Sequence, residues 1–127
     1  AGVVDPPEGT LTDWLQKNHH TNTVRVIEFG VPQAKQAILH YERIAVHANK
    51  SLLRIQLETG RSHQIRVQLA HCGHPLLGDY KYGQARNLSG PALWSHQLQL
   101  QHPILRESLL FTSCPPTIKP WQDYELV

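Results

Sequence analysis

The sequence predicts a domain of mixed α and β structure, and three observations carry that reading. Leu53, Ile55 and Leu57 alternate with Arg54, Gln56 and Glu58, the period of a strand with one wet face. A tight Thr59-Gly60-Arg61 turn follows, after which Ile65, Leu69 and Cys72 fall at helical spacing until Gly73. Short β-rich runs recur elsewhere, at Val24–Phe29, around Leu98 and Leu100, and at Leu109–Phe111, each followed by a Gly or Pro break.

Taken in order, Gly9 to Asn18 is expected to form a short helix. Leu11, Trp14 and Leu15 lie three and four residues apart, and Thr10 can cap the start. Val24–Phe29 is expected as a strand, ended by a turn at Gly30 and Pro32. Ala34 to Val46 is ambiguous: Ala34, Ala37, Ile38, Tyr41 and Ala45 match helical spacing, whereas Leu39, Tyr41 and the isoleucines also suit a strand. Ser51 to Glu58 is a strand. It feeds a helix that Ser62 is placed to cap, with Ile65, Leu69 and Cys72 on one face and Gly73 as its stop. Leu98 and Leu100 alternate with glutamines before His102 and Pro103, and Leu109–Phe111 gives a last strand before Pro115 and Pro116. The whole chain, 1–127, is expected as one domain with a peripheral tail over 117–127.

The 127 residues, 40% of them apolar, suffice to bury a core. No stretch approaches the roughly 20 apolar residues that span a bilayer. The opening AGVVDPPEGT has no basic region followed by an apolar run, so neither membrane insertion nor secretion is expected. Cys72 and Cys114 are expected as free thiols of a cytoplasmic protein, since two cysteines make no disulfide framework. Twelve Lys and Arg against ten Asp and Glu give a net charge of only +2, so a polyanion partner must be argued from distribution. Between Lys50 and Lys81 stand Arg54, Arg61 and Arg66 with His63, His71 and His74, against Glu58 and Asp79. That segment is locally basic and rich in donors.

The informative stretch is TGRSHQIRVQLAHCGHPLLGDYKYG, Thr59 to Gly83. It sets Arg61, His63, Gln64 and Arg66 within six residues at the strand-to-helix junction, too many polar groups for all to enter a core. Helical geometry puts His63 and Arg66 on one face, with Ile65 and Leu69 directed elsewhere. An arginine held in this way suits a carboxylate or phosphate, because its planar fork makes paired, charge-assisted bonds.

Thr59 to Arg66, then Gly73, His74, Pro75, Gly78, Asp79, Tyr82 and Gly83, resemble the carboxy-terminal signature of the RluA-type RNA pseudouridine synthases. Looser matches run from the Gly30 to Val46 connection through the Leu98 strand to Phe111. Ser62 keeps the hydroxyl where many relatives have threonine, and Ser95-His96 stands where a leucine-histidine-alanine run is common. The resemblance implies an α+β fold with a mainly antiparallel sheet and few helices, with Ala34 to Val46 as a strand.

It also implies a reaction in which an aspartate attacks the target nucleotide, the uracil detaches from its sugar, turns, and rejoins through carbon 5. Neither cofactor nor metal is implied. The base first leaves its stack, at a cost of a few kcal/mol that pocket contacts and positive surface offset. In the family that aspartate lies in an upstream histidine-arginine-leucine-aspartate run, and a tyrosine that stacks on the base also lies upstream. The chain holds Asp5, Asp13, Asp79 and Asp123, none preceded by histidine-arginine-leucine. No nucleophile is therefore assigned, and the chain is expected to be inactive alone.

By motif position Arg66 is the arginine that pairs with that aspartate, keeping it ionised and aimed. In this chain it is expected as an unpaired cation in a half-built pocket. Arg61, His63 and Gln64 are assigned to phosphate contact or to shaping the loop. Leu76 and Leu77 of the Gly73 to Asp79 turn are expected in the pocket wall. Asp79 is expected to close a turn, His19 and His20 to be solvated, and Tyr41 and Tyr82 to be core residues rather than base-stacking platforms. His71, Cys72 and His74 suggest zinc by type alone, but Cys72 falls on the apolar helix face and no fourth ligand is evident, so no metal site is assigned. The expected partners are RNA, ribosomal or transfer, and the missing aspartate segment. Half a sheet would leave an exposed edge and a tendency to self-associate. The competing class is a non-catalytic domain that only binds structured RNA or serves as a scaffold.

Overall fold

A computed structural model describes residues 1–83 and 90–95, the backbone of 97–101 and 108–112, and residue 121. The chain divides into two compact units, Ala1–Pro91 and Ala92–Val127. The first contains a four-stranded antiparallel sheet built from β1 (Glu8–Asn18), β2 (Thr23–Ile27), β3 (Lys35–His47) and β4 (Lys50–Leu57), in the order β2-β1-β3-β4, and one helix, α1 (Gln64–His71). The second contains an antiparallel pair, β5 (Gln97–Gln101) and β6 (Ser108–Thr112), at the two runs where the pattern predicts strands. Among the described residues no helix is long and apolar enough to cross a membrane. Cys114, the Pro103 and Pro115 breaks, His96 and the tail other than Trp121 lie outside the described residues.

The expected helix at Gly9 to Asn18 is instead β1, an interior strand paired with β2 on one side and β3 on the other. Gly9, Leu11, Asp13 and Leu15 alternate as its inward positions. A polar Asp13 in the middle of that row conceals the period of two and leaves the Leu11, Trp14, Leu15 spacing to mimic a helix. Tertiary pairing on both edges overrides the local pattern. The ambiguous segment becomes β3 for the same reason, its buried row being Ala37, Leu39 and Tyr41. A two-residue loop joins β3 to β4, with Ala48 and Asn49 both at positive φ (48° and 58°), the conformation of a type I′ hairpin.

Packing on the sheet forms two apolar clusters. Leu15, Val24, Ala37 and Val67 make one, with Val26 and Tyr82 against it; Val4, Leu39 and Tyr41 make the other, with Leu11, Leu53, Ile55 and Ile65. Helix α1 contributes Val67 to the first and Ile65 to the second, so it clamps the strands together. Its buried residues are Gln64, Val67, Gln68 and Leu69, whereas Cys72, expected on the packed face, is exposed. The reason is length: the helix ends at His71, and Cys72 is already its cap. Gly73 N–H donates to the Ala70 carbonyl (3.1 Å) and His74 N–H to that of Leu69 (2.8 Å). This is a Schellman closure, which Gly73 permits at φ 92°.

Candidate active site

The junction that carries the site is tied by side chains rather than capped in the expected way. Ser62 does not cap α1. The N-cap is His63, left-handed at φ 52° and without a side-chain cap bond. Gln64 does the holding instead. Its Oε1 accepts from Arg61 N–H (2.9 Å) and the Thr59 hydroxyl (2.8 Å), and its Nε2 donates to the Ile38 carbonyl of β3 (3.1 Å). Thr59 Oγ1 accepts from Ile38 N–H at 2.9 Å. Of the two roles expected for Gln64, its burial and internal bonds fit the shaping of the loop. Arg61 is exposed, its Nε donating to the Gln36 carbonyl at 2.8 Å.

One turn along the helix, Gln68 is also buried. Its Nε2 lies within hydrogen-bond reach of the Asp13 carboxylate (3.0 Å) and of the Ala37 and Leu11 carbonyls (3.1 and 3.3 Å), while its Oε1 is buried without a partner. The inward polar Asp13 that disguised β1 is thus satisfied from α1.

Arg66 points from the same helix into a turn formed by residues 76–83. It is paired, contrary to expectation. Its Nε donates to Asp79 Oδ2 (3.0 Å) and its Nη2 to Oδ1 (2.9 Å), a bidentate bridge to a carboxylate that is 0% exposed. Asp79 Oδ1 also accepts the Lys81 and Tyr82 backbone N–H groups (3.1 and 3.2 Å), so the aspartate closes its turn, as expected, while holding the arginine. Burial pushes the Asp79 carboxyl pKa up, but the Arg66 hydrogen bonds, the Tyr82 and Lys81 amides and the adjacent positive charge outweigh it and hold the pKa below the usual range. The same hydrogen bond raises the Arg66 pKa.

The bridge uses the Nε/Nη2 edge of the guanidinium. Among the described residues nothing takes Nη1, which keeps its donors unused. Its plane is fixed from below as well, since Arg66 Cζ stands 5.0 Å from the centroid of the Tyr82 ring. Tyr82, expected as a core residue, packs against the Leu15 cluster and also organises the site. Its hydroxyl accepts from Val24 N–H (2.9 Å) and lies 2.6 Å from His63 Nδ1. The His63–Tyr82 bond ties the imidazole to the same hydroxyl that holds β2. Burial first, then the charges of Arg66, Lys81 and Lys17, lower the His63 pKa and keep the ring neutral at pH 7.

Tyr41 is buried, its hydroxyl donating to the Pro6 carbonyl at 3.0 Å. Leu76 and Leu77 are half-buried in the turn. Gly83 closes that turn against Pro75, where a Cβ would come within 2.6 Å of the proline Cβ. Sequence reasoning placed His63 and Arg66 together. It missed Asp79 as the partner of Arg66 and Gln68 as a strut. The signal for Asp79 was available in principle, since a half-buried arginine requires a counter-charge and Asp79 is the acid of the following turn.

The fold and site define a class: an α+β domain whose strand-to-helix junction presents a fixed arginine to an anion. The profile of the RNA pseudouridylate synthase family matches residues 3–71, and the chain belongs to that family, of the RluA type the resemblance implied. It is 41% identical over 116 residues to ribosomal large subunit pseudouridine synthase D of Haemophilus influenzae, covering 80% of this chain and 35% of the relative. It is 34% identical over 125 residues to the protein of the same name from Pasteurella multocida, covering 87% and 38%. An RNA pseudouridine synthase of Bacillus subtilis, YjbO, is 35% identical over 111 residues, covering 87% and 36%. The chain therefore spans little more than a third of the length of these relatives.

Proposed function

We propose that this chain supplies the arginine half of an RNA uridine-to-pseudouridine isomerase acting on structured ribosomal or transfer RNA in the cytoplasm. The observation that carries the reading is the state of Arg66. Two bonds that it donates to Asp79, together with the Tyr82 ring, fix its guanidinium, while its Nη1 edge stays open to a carboxylate from a separate segment. A carboxylate received there is kept ionised and oriented by charge-assisted hydrogen bonds. In the reaction the resemblance implies, that carboxylate attacks the target nucleotide, the glycosidic bond breaks, carbon 5 bonds to the sugar as the carboxylate is released, and carbon 5 loses its proton while N1 gains one. Arg61 and His63 face RNA, and Leu76 and Leu77 line the pocket wall. The chain on its own lacks the attacking aspartate and turns over no uridine.

The test is tritium release from RNA transcribed with 5-tritiated uridine, using this chain alone and with an added fragment bearing the histidine-arginine-leucine-aspartate run. Release in the complemented sample only, and its loss in Arg66→Ala, is the expected result. Release by the chain alone would reveal a nucleophile within it. Silence from a verified stable complex would replace the synthase reading with that of a non-catalytic RNA-binding domain.

A further inference from the structure

The sheet face that α1 covers is apolar under the helix and becomes basic beyond it. Leu15 stands opposite Lys35 across β1 and β3, and Lys17 stands opposite Val24 across β1 and β2. Paired residues share a face, so Leu15, Lys17, Val24 and Lys35 all lie on the side where Leu15 and Val24 meet Val67 of the helix. Lys17 and Lys35 are diagonal cross-strand neighbours, a spacing of roughly 7–8 Å. The Gly60 to Ser62 turn folds over this end of the sheet and adds Arg61, and His19 completes the rim of a cleft of about 480 Å³ with Leu15 and Val24 among its lining.

Three permanent cations face this one space. No carboxylate lines the cleft among the described residues. Among those residues neither Lys17 nor Lys35 has a hydrogen-bond or ion-pair partner, and Arg61 uses only its Nε internally. Like charges set close together on a sheet face cost stability unless something neutralises them. The volume lies within the roughly 300–1,000 Å³ of small-ligand sites. Leu15 and Val24 are nearly fully buried and form only the floor, so what the cleft offers a ligand is its rim of cations, which suits a phosphate. The cleft adjoins the Arg66 site through β2, since Val24 is among its lining residues and the Val24 N–H holds the Tyr82 hydroxyl.

We infer that this cleft, rimmed by Lys17, Lys35 and Arg61, binds a backbone phosphate of the RNA strand next to the nucleotide presented to Arg66. The inference rests on the synthase reading for the identity of its ligand. The contact is to the backbone, so it positions RNA without reading sequence.

The experiment measures binding of this chain to a large-subunit ribosomal RNA transcript by fluorescence anisotropy, from 50 to 300 mM KCl. Lys17→Ala/Lys35→Ala is expected to weaken binding roughly tenfold at low salt and to lower the slope of log Kd against log salt by about one. Lys17→Arg/Lys35→Arg is expected to retain both values. Arg54→Ala, which removes a charge on β4 at the opposite edge of the sheet, is expected to leave the slope intact. A melt of each variant confirms the fold, and tritium release after complementation is read in parallel. Wild-type release with equal salt slopes in the wild type and the double alanine variant would overturn the cleft and leave the synthase reading standing. A wild-type chain that binds the RNA with the expected loss of slope in the variant, but never releases tritium, would keep the phosphate site and overturn the synthase. No binding by the wild type would overturn the cleft.

Discussion

Replacing Asp79 tests the central pair of this site. The side chain is wholly buried and accepts four hydrogen bonds, two from Arg66 and one each from Lys81 and Tyr82 N–H. Asp79→Ala removes all four acceptor contacts and leaves a guanidinium that is only 20% exposed without its counter-charge. Breaking a buried pair by removing one partner costs about 3–5 kcal/mol. Asp79→Asn keeps the shape and one oxygen, so about 1–3 kcal/mol is expected, the worth of the charge assistance on those bonds. The assay is urea unfolding of the chain at a series of pH values. Because the folded pKa of Asp79 is depressed, its contribution is complete above the unfolded value of roughly 3.9 and is lost as pH falls through the lower folded value. The gap between wild type and Asp79→Asn should therefore be constant near neutrality and shrink below about pH 4. An Asp79→Ala chain within about 1 kcal/mol of wild type, or a gap indifferent to acid, would refute the buttress.

Three further outcomes follow from the same geometry. Arg66→Lys offers a point charge that cannot span both Asp79 oxygens and a second carboxylate, so complemented tritium release should fall at least roughly a hundredfold, a loss typical of misplaced catalytic groups. Gly83→Ala forces a Cβ into Pro75 and should cost about 1–3 kcal/mol by denaturant melt, because a proline ring cannot rotate away. Nitrogen NMR of His63 should report a neutral ring at pH 7. The native ring should titrate below the ordinary value near 6.5, so this residue makes the fold less stable as pH falls through that value.

The proposed half-site also leaves surface to cover. Ile44 and Val46 near the outer end of β3 and Leu57 at the end of β4 are exposed, and β4 is the last strand of its sheet. We propose that the β4 edge, with Ile44 and Val46 towards one end of the β3–β4 hairpin and Leu57 at the other, meets the aspartate segment, and that in its absence the isolated chain self-associates along it. Sedimentation should find a concentration-dependent dimer that added aspartate fragment dissolves; a strict monomer at high concentration would remove the proposal.

How far the site was legible in the sequence depended on where each residue's partner lay. Elements decided by their own neighbours, the alternating β4 and the Gly73-stopped α1, could be read directly. The motif likewise brought Arg66 and His63 together, although His63 is the left-handed cap outside α1 and meets Arg66 through the Tyr82 ring rather than through helical spacing. What escaped was set across the fold. Asp13 broke the apolar row of β1 for the sake of Gln68, 55 residues later, and its polarity made a strand look helical. Gln64, left between phosphate contact and shaping the loop, is drawn to the second by the Ile38 carbonyl of β3, 26 residues earlier. Asp79, which resembled a turn residue, is that and the counter-ion of Arg66 at once. In each case a buried polar group had to be satisfied by an atom distant in sequence, and such a requirement names the type of partner without naming its position. The two glutamines and one aspartate that bridge α1 to the sheet and its following turn are therefore the residues that hold the open edge of Arg66 in place, although none of them needs to touch RNA.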